Sequence, residues 1–416
     1  MKYRLNLTIT LMVFIGGGFG QNVDIHGYAR TYLGVLTNDS HDYAISQNTL
    51  DLKLEGSLGL GGFYANPYLY QYPNQAVELG LREAYMDIFF DNVDMRFGKQ
   101  QIIWGKGDGV FITDIVSPKD LSEFLLRDFD EIRMGITAVK ADYYIGNNIL
   151  EMVWIPTFTP TKMPDTSSPW ARLPVFDIPM VIDESEKAIP GRLENSETFV
   201  KFSGMSSLID FEIMAGTMWD DDPTLHITPT LEPGNPLPTS LLFTPKHHQL
   251  MLGGGSFSTE LGRFVIRAEG AYYSGKSFAA ENAMGMSFVL MEKDFVHYLV
   301  GTDFSIGSNI LSFQFIQRTI MDYDESIVSD EFDNTITIMY NRTFLNETLA
   351  LQLFGYLGLN KEDALIRPTL TYDIADGFEI VAGANLFVRN NDTITDGQFG
   401  YYDDNDMAYM KLKYSF

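Results

Sequence analysis

The chain has no cysteine, so a disulfide, a thiolate metal site and a cysteine nucleophile are all unavailable to it. Positive charge is scarce: 29 Lys and Arg stand against 55 Asp and Glu, for a formal net charge of −26. That balance argues against a nucleic-acid partner, whose binding surfaces are basic. Long apolar runs are missing too. The longest, residues 5–15, is too short to cross a bilayer as a helix, and nothing later approaches 18 uncharged apolar residues in a row. If this chain enters a membrane, it does so as strands.

Catalytic signatures are equally sparse. There is no Gly-x-Ser-x-Gly elbow and no His-Glu-x-x-His. Of the six histidines, His247 and His248 lie in the same predicted loop region as Asp220, Asp221 and Asp222, a grouping that superficially suggests an Asp/His protease site. Adjacent side chains in an extended strand, however, point to opposite faces. The aspartates 220–222 and Asp403, Asp404 and Asp406 offer hard oxygen donors for Ca²⁺, but neither group has EF-hand spacing. Solvated loop tips are the plainer reading. The expectation is a protein that is not an enzyme and holds neither metal nor cofactor.

What is present begins at the N-terminus. Lys2 and Arg4, the apolar stretch 5–15 and the small residues 16–20 follow the order of a secretory signal. Cleavage near Gly20 would leave a mature chain of charge −28, since two cations depart with residues 1–20. Aromatic residues make up 13% of the chain, with 22 Tyr and 30 Phe, and Gly numbers 36. That mixture suits aromatic-girdled strands with tight turns, not an acidic disordered chain.

Period-2 alternation then recurs along the whole chain. Leu50, Leu52 and Leu54 alternate with Asp51, Lys53 and Glu55, and Ala84, Met86 and Ile88 with Glu83, Tyr85 and Asp87. Met95 and Phe97 alternate with Asp94 and Arg96, and Met134, Ile136 and Ala138 with Arg133, Gly135 and Thr137. About 18 such segments can be counted from residue 25 to the end, each with one face fit for lipid. Short turns at 59–62, 91–92, 146–148, 204–207, 260–262, 307–309, 345–348 and 375–377 alternate with longer connections at 104–130, 156–196, 220–245, 274–294, 319–334 and 388–405. The links at 72–77 and 358–362 are short for their place in that rhythm. Pro368 breaks the pattern differently: it cannot donate a ladder hydrogen bond, so a bulge or a change of register is expected there. The last segment sets Ala408, Met410, Leu412, Tyr414 and Phe416 on one face and Lys411 and Lys413 on the other. An alternating strand with a terminal aromatic is similar to the signal read by the outer-membrane assembly machinery. The fold class expected is all-β: a single closed antiparallel transmembrane barrel of about 18 strands over residues 21–416, set in outer-membrane lipid and lipopolysaccharide.

Residues 81–120 hold the most specific pattern: Glu83, Tyr85, Arg96, Gly98, Lys99, Gln100, Trp104, Gly105, Asp114, Ser117, Pro118 and Asp120. In order, this is an acidic-aromatic strand, Arg-x-Gly-Lys/Arg-Gln, Trp-Gly, an Asp, and Asn/Ser-Pro-x-Asp. It resembles a large family of porin-like outer-membrane proteins of uncharacterised function. A more distant likeness is to the alginate export porins, which implies a barrel of about 18 strands with a basic lumen.

Parity also proposes a site. Arg96 and Arg133 point inward if Met95 and Phe97 face lipid, with Glu83 and Asp87 as cross-strand partners. Arg30, Lys53, Lys411 and Lys413 lie inward on the first, second and last strands, which become neighbours on closure, and this basic wall would attract an anionic or amphipathic solute. Residues 104–130 carry Trp104, Asp108, Phe111, Asp114 and Asp120, an apolar run, and Ser117 as N-cap with Pro118 opening a short helix at 119–127. Folded inward, this segment would bury Phe111, Ile112, Leu121, Phe124 and Leu125 and narrow the lumen. The Pro-rich connection 156–196, with Trp170, Leu173, Val175, Phe176 and Ile178, is expected to pack on itself over the mouth. Passive passage of a small solute is the function these features point to. A fatty-acid or hydrocarbon transporter and a surface adhesin are the rival readings.

Overall fold

The computed structural model describes residues 23–416 apart from 74, 173–177, 207, 233, 235–237, 282–288 and 391–396. The expected signal at 1–20 and Leu173, Val175 and Phe176 lie outside the described residues. Twenty-one strands follow in order: β1 Asp24–Leu36, β2 Tyr43–Leu58, β3 Gly61–Gln71, β4 Glu78–Phe89, β5 Val93–Gln100, β6 Ile136–Ile145, β7 Asn148–Ile155, β8 Met180–Ile182, β9 Glu197–Met205, β10 Asp210–Trp219, β11 Thr224–Leu231, β12 Pro238–Lys246, β13 Gln249–Leu261, β14 Phe264–Ala280, β15 Val289–Ile306, β16 Asn309–Ile320, β17 Phe332–Phe344, β18 Leu349–Gly358, β19 Asp363–Ala375, β20 Phe378–Val388 and β21 Met407–Ser415.

Eighteen of these form one antiparallel sheet, which closes where β1 pairs with β21 from Tyr28↔Ser415 to Leu36↔Met407. Phe416 finishes the seam: its N–H and C=O both bond to Gly27 at 3.0 Å. Closure leaves no sheet edge unpaired. The inside and outside of the wall invert the usual partition of a soluble protein. Met251, Ile213 and Met86 are 63%, 60% and 52% exposed on the outer face, while Gln47, Asp51, Glu269 and Gln314 are buried within. Apolar side chains outside and polar side chains inside are what a wall between lipid and a polar lumen requires.

Turns at the end where β1 begins and β21 finishes are tight. At Gly146 and Gly307 the backbone adopts φ of 60° and 58°, the left-handed geometry that lets a two-residue turn follow the strand twist. At the opposite end most connections are longer; the links after β3 and β18 are short, as the sequence indicates, and so is the link after β1, at residues 37–42.

Four expectations are corrected. The stretch 274–294 is mostly strand, because β14 and β15 continue as a hairpin past the barrel, with a register shift between Tyr273 and Lys276. Connections 156–196 and 220–245 supply β8, β11 and β12, which form a separate three-stranded sheet in order β11–β12–β8; connections this long satisfy their backbone groups by pairing with one another. At Pro368 there is neither bulge nor slip. Pairs Ile366↔Leu386 and Thr369↔Gly383 share one register, and only the two pairs between them are missing. Finally, Ile136 and Ala138 face inward, not to lipid, and are 2% exposed each. The lumen beside them is filled by Ile102, Trp104 and Val116, so an apolar inner face is buried there. Trp170 is buried against Phe387 of β20 and Tyr402 of connection 388–405, so at this point 156–196 packs on neighbouring segments and not on itself.

Candidate functional site

Between β5 and β6, residues 101–135 leave the wall and run through the barrel interior. Every residue from Ile112 to Pro118 is buried. Two apolar clusters hold the segment to opposite parts of the wall. Ile102, Trp104, Ile115 and Val116 pack with Val153, Phe199, Met214 and Leu252 from β7, β9, β10 and β13. Leu126 packs with Tyr32, Phe354, Leu365 and Phe387 from β1, β18, β19 and β20.

Polar contacts complete the ring. The Trp104 indole N–H donates to Glu151 Oε1 at 2.6 Å. Asp108 exchanges two backbone bonds with the Gln314 side chain (3.0 and 2.8 Å), and its carboxylate meets Arg267 at 2.7 Å. Arg267 also bonds Asp303 and the Lys106 carbonyl. The buried Glu269 carboxylate accepts from the Thr113 N–H (3.1 Å), the Thr113 hydroxyl (2.5 Å) and the Lys106 N–H (3.3 Å). Tyr356 donates to the Gly109 carbonyl at 2.6 Å, and Arg367 donates to those of Leu125 and Leu126. Residues 128–131 enter a charged cluster: Asp128 pairs with Arg30 (2.9 Å) and Lys411 (2.6 Å), and Glu131 with Arg30 (3.0 Å), Arg82 (3.2 Å) and the Tyr28 hydroxyl (2.6 Å). Arg82 reaches on to Asp51 at 2.9 Å.

Burial pushes the Glu131 carboxyl up, but Arg30 and Arg82 overcome it and hold the group below the usual carboxylate range. For Asp120, burial is likewise outweighed by Arg127, Ser122 and Lys162. Both carboxyls are therefore ionised at neutral pH.

The expected helix at 119–127 does not form. The Asp120 N–H bonds the Ile132 carbonyl (2.6 Å), the Leu121 N–H bonds the Lys162 carbonyl (2.8 Å), and Phe124 adopts φ +54°. With its first donors engaged by other chain segments, the stretch turns instead of coiling. Ser117 is no N-cap, for its hydroxyl accepts from the Ile102 N–H at 2.9 Å. The only α-helical residues among those described are one turn, Phe129–Ile132.

The remaining anticipated residues fall as follows. Arg96 pairs with Asp87 through two bonds of 2.7 and 3.0 Å and lies 3.8 Å above the Tyr85 ring, which stacks on Tyr64. Glu83 is not a partner of Arg96 in this ladder; its carboxylate accepts the Gln101 N–H at 2.8 Å and so fixes the point where the segment leaves β5. Arg133 precedes β6 instead of lying on it, and its partner is Asp114 at 2.5 Å. Phe111 is half-buried, between Phe129 and the cations of Lys119 and Arg133. Asp120 meets Arg127 at 3.6 Å and Lys162 at 3.5 Å. Arg30 and Lys411 do face inward, but the segment's carboxylates neutralise them. Lys53 and Lys413 form no ion pair among the described residues; Lys413 sits 5.2 Å from the Tyr28 ring. Sequence reasoning passed over Arg82, Arg267, Glu269 and Arg367 as anchors. Alternation along β14 and β19 places Arg267, Glu269 and Arg367 on the inner face without naming their partners, whereas on β4 it puts Arg82 outside with Ala84 and Met86, and the register shift between Ala65 and Pro67 against β4 turns it inward.

The family described as "Protein of unknown function (DUF1302)" matches residues 38–297. No curated protein matches the chain. Among solved structures, OccAB1 of Acinetobacter baumannii aligns with a TM-score of 0.56 at 10% identity, covering 96% of this chain and 98% of that one. OccK8 (OprE) of Pseudomonas aeruginosa and OccK2 (OpdF) of the same organism, the latter in complex with glucuronate, each give 0.55 at 10% identity, covering 95% of this chain and 98% of theirs. At that identity the likeness is one of fold.

Proposed function

We propose, from the premise that the chain belongs to the family described as Protein of unknown function (DUF1302), that it is an outer-membrane channel for passive diffusion of a small solute, narrowed by residues 101–135. The observation that carries this reading is the inward segment. A barrel serving only as a surface scaffold has no need of a 35-residue connection fastened to its inner wall on every side, whereas a selective pore does. Residues 1–20 act as the export signal, and the tight turns and both termini lie at the periplasmic end. The long connections then face outward, amid lipopolysaccharide.

The solute is anionic or amphipathic in this reading. Lys53 and Lys413 are the cations of the anticipated basic wall that retain no carboxylate partner among the described residues, and the glucuronate in complex with OccK2, a barrel of similar fold, is a carboxylate. Liposome swelling with sugars, amino acids, carboxylates and fatty acids, on the wild type and on a chain lacking 104–130, tests the proposal. Carboxylate flux that widens to larger solutes in the deletion supports it. Indifference to every solute in both proteins refutes the channel. Uptake confined to fatty acids and unchanged by Arg96→Ala would favour the hydrocarbon route.

A further inference from the structure

Charged side chains inside and apolar ones outside is the rule of this wall, and among the described residues two cations on its strands break it. Lys99 shares the outer face of β5 with Phe97, and its ammonium is satisfied at once, donating to the Leu81 carbonyl at 2.6 Å. Arg342 is not. It is exposed on the outer face of β17, opposite in parity to the buried Thr337, with Asn309 of β16 and Leu351 of β18 as its cross-strand neighbours. Its guanidinium stands 4.6 Å from the Phe344 ring and meets no carboxylate or carbonyl among the described residues. The polar groups beside it are already engaged: the Tyr340 hydroxyl donates to Asn309 Oδ1 at 2.8 Å, and the Asn309 amide donates to the Ile306 carbonyl at 3.0 Å.

Its place along the strand sets its depth. Arg342 lies two residues before β17 ends at Phe344, at the end of the barrel with the tight turns. On the outer face at that same end Phe264 and Phe304 stack with ring centroids 4.9 Å apart, and Tyr372 and Tyr414 continue the aromatic collar. Such collars lie at the level of the lipid headgroups, where an outward arginine costs far less than at the bilayer midplane. Toward the midplane the neighbouring outward side chains, Leu311, Phe313, Ile338 and Leu353, are apolar and between 40% and 46% exposed. A planar fork of N–H donors without a protein acceptor, set above an apolar strip, matches a phosphodiester with acyl chains below it.

We propose that Arg342 holds the phosphate of one glycerophospholipid of the periplasmic leaflet, with the acyl chains of that lipid lying along the outer faces of β16, β17 and β18. The assignment takes from the channel reading only that the tight turns lie at the periplasmic end. The lipid supplies the counter-charge that the chain itself does not, and fixes the height of the barrel in the bilayer on this side.

Full-length protein, delipidated in detergent and offered phosphatidylglycerol, phosphatidylethanolamine, diacylglycerol or lipid A in turn, tests this by native mass spectrometry. One phospholipid per chain should survive collisional activation that strips all further adducts, and diacylglycerol, which lacks the phosphate, should not. Arg342→Ala should lower that retention roughly tenfold, and Arg342→Lys should lower it less, because an ammonium keeps the charge without the fork. Both variants should keep the heat-dependent gel mobility of the folded barrel and wild-type solute flux, since Arg342 is outside the lumen. Equal phospholipid retention by the wild type and Arg342→Ala overturns the proposal, as does equal retention of diacylglycerol. Retention of lipid A in preference to the glycerophospholipids overturns the assignment to the periplasmic leaflet. Retention that depends on Arg342 supports the site even where swelling assays find no flux, so this proposal and the channel reading fail separately.

Discussion

Glu131 is the residue on which docking of the inward segment can be tested most directly. Its side chain is 6% exposed and faces Arg30 and Arg82, which are 4% and 11% exposed. Glu131→Gln keeps the shape and an acceptor for the Tyr28 hydroxyl but removes the charge between two buried guanidiniums. Removing one partner of a buried pair costs about 3–5 kcal/mol. Here Arg30 keeps Asp128 and Arg82 keeps Asp51, so a loss of about 2–3 kcal/mol is expected, equivalent to roughly 30- to 150-fold in the docking equilibrium. The absence of cysteine supplies the assay. Leu126→Cys places one thiol at a position 2% exposed, and its reaction with a maleimide reports the undocked population when opening is fast relative to labelling. The rate should rise by that factor in the Glu131→Gln background. Equal rates in the two backgrounds would refute the claim that this charge cluster fastens the segment.

The same carboxyl predicts a pH dependence. Its folded pKa is lowered, so its contribution is complete above the ordinary carboxylate value of about 4.3 and is lost as pH falls below it through the folded value; bilayer conductance should therefore change below about pH 4 in the wild type and show a smaller step in Glu131→Gln. Gly109→Ala should loosen the segment, because φ there is +73° and an added Cβ would lie 2.4 Å from the Phe354 ring. The left-handed backbone alone costs about 1–2 kcal/mol, read as faster labelling of the Leu126→Cys thiol. Glu269→Gln turns an NH₂ donor against the N–H of either Thr113 or Lys106 inside the wall, at a cost of about 1–3 kcal/mol; larger solutes should then pass in the swelling assay. Deleting Phe416 removes both backbone bonds to Gly27, and the fraction of chain reaching the heat-resistant folded form in membranes should fall.

The barrel was legible because its signal is local. A strand between lipid and a polar lumen must alternate its side chains, and Leu50 against Asp51 or Met86 against Asp87 displays this within a few residues. The rule failed at Ile136 and Ala138, where the lumen is packed with protein and both faces of the strand are apolar. Pro368 misled in the opposite direction. The sheet omits two pairs beside it and continues in register, since flanking strands paired along their full length hold it there.

The candidate site was legible only in outline. The apolar run and glycines of 104–130 marked a connection unsuited to water, and it does fold inward. Its helix could not be anticipated correctly, because the Asp120 and Leu121 amides are taken by Ile132 and Lys162, contacts that exist only once the chain has folded back on itself. The expected boundary at Asp130 also stopped one residue short of Glu131, the anchor that meets two arginines.

Arg30 shows where the division falls. Alternation along β1 is sufficient to place it inside the barrel, because the direction of a side chain follows from its own backbone. Its partners, Asp128 and Glu131, lie 98 and 101 residues away, and no local pattern encodes so distant a pairing. Closure of β1 on β21 and the return of the segment across the lumen bring those charges together, and burial then makes the pairing obligatory. Local alternation thus sets the barrel strands and most of their faces, because each follows from its own backbone, whereas the neutralisation of Arg30 and Lys411 from within arises from the fold, because it joins charges far apart in the chain.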